Sequence, residues 1–163
     1  METDPYAGHN PLVLLLVLLL SLAAAIALAA YGCTTAARHG AGRGAPLVML
    51  RSCGAFAAAG AACLYAWGTV HLLTLDETRR DAACKEAVGP AHVMEIDSYR
   101  PTYIPLGLGC HVRSGTTHST GVPGYLNPAA GALAFTAVAM GGFSLLESER
   151  RATRDFKRET RRP

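Results

Sequence analysis

Residues 11–31, PLVLLLVLLLSLAAAIALAAY, form an apolar run of 21 positions with no charged residue. A helix of that length rises about 30 Å, the thickness of a bilayer's hydrocarbon layer, so the run predicts a helix that spans a membrane. Two weaker apolar runs follow, at 53–75 and 127–146, and each is also long enough to cross. The predicted fold is therefore an all-α membrane protein of three transmembrane helices. A connecting segment, 76–126, and a basic tail, 147–163, complete a single membrane unit.

Basic residues set the orientation, because Lys and Arg near span ends concentrate on the cytoplasmic side. The tail carries Arg150, Arg151, Arg154, Lys157, Arg158, Arg161 and Arg162, which places the C-terminus inside. Three spans then put the N-terminus and segment 76–126 outside, and the loop between the first two spans inside. That inner loop holds Arg38, Arg43 and Arg51 without an acid, whereas the first ten residues hold Glu2 and Asp4 without a base. Both agree with the orientation. Segment 76–126 is near neutral, with five basic and six acidic residues.

The rival for the first run is a cleaved signal, since Ala27-Leu28-Ala29 resembles a small-residue cleavage site. Its acidic leading segment is the wrong sign for a signal peptide, and Ala30-Tyr31-Gly32 before Cys33 is a poor lipoprotein motif. A retained span is expected. The second run is rich in Ala and Gly and has Arg51 at its inner edge, so its insertion is expected to depend on packing. Gly54 with Ala58, Ala57 with Ala61, and Ala137 with Gly141 give small residues at helical spacing, which lets backbones approach closely. Tyr31, Tyr65, Trp67 and Tyr125 read as interfacial aromatics.

The five cysteines divide by compartment. Cys33, Cys53 and Cys63 fall in or beside the spans and read as small apolar fillers, while Cys84 and Cys110 both lie in the outer segment. Two lone cysteines in one exported segment favour a disulfide, here closing a loop of 27 residues. The same pair is a poor redox centre, because an attacking and a resolving thiol are usually close in sequence. Between and beyond them, Tyr99, Tyr103 and Ile104 favour a short strand or hairpin, whereas Pro101, Pro105, Pro123 and Pro128 forbid a long helix. Residues 115–121, GTTHSTG, read as an exposed turn, and Asn127-Pro128 as the cap of the third span.

His92, His111 and His118, with Asp97 and Cys110, are the only weak candidates for a metal site, and their spacing matches no known ligand pattern. Solvent-facing histidines are the expectation, as is a surface-seeking His71. No catalytic residue or cofactor site is predicted. In the tail, Arg150, Arg154, Lys157, Arg158 and Arg161 recur every three or four positions, a stripe suited to anionic lipid. Nothing in the chain interleaves bases with aromatics as nucleic-acid binding requires.

The stretch from Cys84 through Tyr103-Ile104-Pro105-Leu106 and Cys110 to Val122-Pro123-Gly124-Tyr125-Leu126-Asn127-Pro128 resembles small uncharacterised three-span membrane proteins of high-GC actinobacteria. The resemblance implies an exported loop with a disulfide and brings no activity. The expected molecule is a non-enzymatic, multi-pass protein of a bacterial plasma membrane, with the outer loop as an interaction surface for another membrane protein or a second copy. One alternative is a small oligomeric transport or channel subunit, although the spans lack the acids or paired charges that mark ion pathways. The other is an extracytoplasmic thiol- or metal-dependent enzyme.

Overall fold

The computed structural model describes residues 9–39, 45–90 and 92–159. Three long helices carry the apolar runs: α1 (Pro11–His39), α2 (Ala45–Leu73) and α4 (Leu126–Glu159). Each is long and apolar enough to cross a membrane. Each also outruns its apolar stretch. Arg51 consequently lies inside α2 rather than at its edge, and α4 continues unbroken into the basic tail.

The segment between α2 and α4 contains the short strand or hairpin expected of it, but within a three-stranded sheet and with a further helix, so the chain is mostly and not wholly helical. It holds a helix, α3 (Glu77–Val88), a single 3-10 turn (Val93–Glu95), and strands β1 (Ile96–Thr102), β2 (Gly107–Val112) and β3 (Thr117–Thr120). The strands form an antiparallel sheet in the order β1-β2-β3. Pro101 is tolerated because β1 is an edge strand and needs no second ladder of hydrogen bonds. The polar stretch read as an exposed turn instead contributes β3, through pairings that include Cys110 with His118 and Leu108 with Thr120. Only its first residues turn, and Gly115 takes the positive φ of 89° that the connection requires.

The described chain divides into two compact units, both of which include parts of α1, α2 and α4. The first comprises residues up to Leu22 together with Cys63–Ala129. Its central strand, β2, points Leu108, Cys110 and Val112 into the interior, all almost completely buried, as the two-residue period dictates. Cys110 is bonded to Cys84 of α3, and Leu108, Val88, Ile96 and Tyr99 close around the bridge. A second cluster joins Leu14 of α1, Leu72 of α2 and Leu106, with Tyr65, Tyr103 and Val122 against it. Gly121, at φ 91°, passes so close that a Cβ there would stand 3.0 Å from Leu72 Cδ2.

The second unit comprises Ala23–Ala62 and the chain from Ala130 onward. Here the small-residue spacings meet: a Cβ on Gly54 would lie 3.2 Å from Met140 Cβ, 3.6 Å from Ala137 O and 3.7 Å from Gly141 N. Gly32 likewise faces the Phe56 ring, and Gly60 faces Leu133. Close backbone approach is thus shown at Gly54, where α2 meets α4. Cys33, Cys53 and, in the first unit, Cys63 are exposed on helix surfaces.

Candidate functional site

The disulfide Cys84–Cys110 ties α3 to β2 within the segment between α2 and α4. Within α3, Cys84 is the only buried residue, and Val88 packs beside the bridge. Polar contacts supplement it. Asp81 of α3 accepts a 3.0 Å hydrogen bond from the Tyr99 hydroxyl and pairs with Lys85 one turn on. The Lys85 and Tyr99 bonds hold the Asp81 carboxyl below the usual carboxylate range.

An irregularity between Ile96 and Ser98 leaves Asp97 outside the β1–β2 register. Its carboxylate meets His111 Nδ1 at 2.7 Å, and that hydrogen bond lowers the Asp97 pKa. The pairing changes the reading of the metal candidates. His111 is committed to Asp97, Cys110 to the disulfide, His118 sits exposed on β3, and His92 precedes the 3-10 turn. Among the described residues, no three His, Cys, Asp or Glu side chains gather to hold a metal.

The most organised polar arrangement lies at the β1–β2 turn, residues 103–106, which includes a cis Ile104–Pro105 bond. Three side chains from outside the sheet hold its backbone. His9, immediately before α1, donates from Nε2 to Thr102 O over 3.1 Å and packs edge-on against the Tyr103 ring at 5.0 Å. The Tyr65 hydroxyl of α2 donates to Tyr103 O. The Asn127 amide of α4 spans Leu106, accepting from its N–H at 3.2 Å and donating to its carbonyl at 2.9 Å.

These contacts correct one expectation and add to another. Asn127 lies within the first turn of α4 and serves Leu106 instead of capping its own helix, and Tyr65, read as an interfacial aromatic, also tethers the turn. Burial pushes the His9 pKa below its usual value; the Thr102 hydrogen bond opposes this and the Arg80 charge adds to it. No local sequence signal marks the arrangement, since the partners stand 93, 38 and 21 residues apart. Beside the turn, a cleft of about 280 Å³ is bordered by Thr102, Pro105, Ser119, Thr120 and Pro123, with hydroxyl and carbonyl groups but no charge. His71 lies edge-on to Trp67, with ring centres 5.1 Å apart.

On α4, Arg150, Arg154 and Lys157 share one face with Leu146, Glu149 and Thr153, and all three bases are exposed. The side chains of Arg151 and Arg158 lie outside the described residues, as do Arg161, Arg162, Arg43 and the acidic Glu2 and Asp4. Compared with protein-family models, curated proteins and solved structures, the chain matches none.

Proposed function

We propose that the chain is a three-span protein of a bacterial plasma membrane that presents a disulfide-braced module outside the cell as an interaction surface. The observation that carries this reading is the outward placement of large apolar side chains along all three long helices. Leu12 and Ile26 of α1, Met49 of α2, and Phe135 and Val138 of α4 are 64–76% exposed, and Leu16, Leu20, Trp67, Phe143 and Leu145 accompany them. Leaving such a side chain in water costs about 1.5–3 kcal/mol relative to burial, so surfaces of this extent call for lipid.

The Arg-rich tail and the basic inner loop support an orientation with the C-terminus in the cytoplasm. That orientation gives the Cys84–Cys110 bridge the oxidising compartment in which disulfides persist. The resemblance to small actinobacterial membrane proteins fits the same placement. The exposed bases Arg150, Arg154 and Lys157 supply attraction to an anionic inner leaflet. Partners of the module are another membrane protein or a second copy of the chain.

Fractionation tests the proposal. The full chain is expected to stay in the membrane pellet after alkaline carbonate extraction and to need detergent for release. Recovery in the carbonate supernatant would overturn the reading.

A further inference from the structure

We infer that the β1–β2 turn, with Ile104 at its apex, is a lipid-contacting wedge seated at the headgroup–acyl boundary of the outer leaflet. The inference rests on the membrane-spanning reading above and assigns part of the outer segment to the bilayer itself.

Three observations converge on this depth. First, the turn is held by the outer ends of two helices and by the body of the third. His9 lies two residues before Pro11, Asn127 is the second residue of α4, and Tyr65 stands eight residues before the last residue of α2. At 1.5 Å per residue, Tyr65 is about 12 Å short of the end of α2. The turn therefore packs along the last two turns of α2, from Tyr65 to Leu72, level with the starts of α1 and α4. Leu106 confirms the level, because a Cβ on Gly68 of α2 would stand only 2.8 Å from Leu106 Cδ2.

Second, four polar backbone groups at and beside the turn are satisfied from within the protein. Thr102 O, Tyr103 O and both polar groups of Leu106 are bonded to His9, Tyr65 and Asn127, and Pro105 has no N–H to satisfy. Irregular backbone is tolerated at membrane depth only where protein groups take over the role of water. A turn immersed in solvent has no need of the buried His9 and the half-buried Tyr65 and Asn127 to do so.

Third, what the turn leaves exposed is apolar. Ile104 is 91% exposed, and Pro105 after it is exposed and has no polar side chain. Trp67, between Tyr65 and Gly68 on α2, and Tyr125, just before α4, are also exposed. Aromatics of this kind favour the membrane–water interface, and these two occur at the stretches of α2 and α4 that grip the turn.

Fluorescence quenching in vesicles tests the inference. Single cysteines replace Ile104, Leu19 or Thr116 in the full chain carrying Cys33→Ala, Cys53→Ala and Cys63→Ala, with the Cys84–Cys110 bridge intact. Each is labelled with an environment-sensitive fluorophore in phosphatidylcholine–phosphatidylglycerol vesicles. Lipid carrying a spin label near the headgroup is expected to quench the dye at 104 severalfold more than at 116, whereas aqueous iodide is expected to favour 116. The dye at 104 should also emit at shorter wavelength than that at 116. Lipid quenching at 19 with only iodide quenching at 104 would overturn the wedge and leave the spans standing. Iodide quenching at both would overturn the spans and the wedge together. An Ile104→Trp, Trp67→Phe chain, read with brominated lipid, gives the same answer without a dye and is contradicted by the same pattern.

Discussion

His9 shows how one side chain can make the first unit sensitive to pH. Its ring is almost buried and donates to Thr102 O, and burial lowers its pKa below the usual value of about 6.5. Between the folded and unfolded values the unfolded chain holds the proton and the folded chain does not. The stability contributed by this contact is thus complete above about pH 6.5 and is lost as pH falls through the folded value. The melting temperature of the detergent-solubilised chain should fall as pH drops from about 7.5 to about 5, and His9→Gln should flatten that slope. A slope unchanged by His9→Gln would locate the dependence elsewhere. Asp81 and Asp97, whose pKa values are lowered, act in a more acidic range and in the same direction. Ser52 offers an opposite lesson, because its hydroxyl is buried without a hydrogen-bond partner among the described residues. Ser52→Ala removes that cost and favours helix, so a gain of about 1 kcal/mol in thermal unfolding is expected.

At the level of elements, the glycines facing another helix and those facing open space should behave differently. Gly54→Leu forces bulk into the contact with Met140 and Ala137 and should cost about 1–3 kcal/mol in thermal unfolding. Gly131→Ala, with nothing within 4 Å of the added carbon, should be neutral or mildly stabilising in the same assay. The long helices and the Gly54 contact were legible in the sequence because apolar length and small-residue spacing are local signals. α3 was not legible, since its residues lack an apolar stripe and only Cys84 is buried. β3 was hidden for a related reason: Thr117–Thr120 is polar and mostly exposed, and only pairing with β2 makes it a strand. The Asn127–Leu106 contact defeated local reading altogether, because Asn-Pro at a helix start is equally good capping chemistry.

For the whole molecule, the disulfide and the lipid-compatible helices serve different ends. The bridge closes a loop across 26 positions of sequence, which corresponds to about 3–4 kcal/mol on the chain-entropy estimate. Replacing both Cys84 and Cys110 by Ser should release α3 and speed limited proteolysis between α2 and β1, while the chain remains in the membrane fraction. Unchanged proteolysis would show that the polar contacts of α3 suffice. The account as a whole depends on which side of the bilayer each segment occupies. With Cys33, Cys53 and Cys63 replaced by Ala, a cysteine placed at Thr116 or at Thr153 can be probed with a membrane-impermeant maleimide in intact cells. Labelling at 116 before permeabilisation, and at 153 only after it, is the predicted result; labelling at 153 in intact cells, with 116 protected, would contradict it.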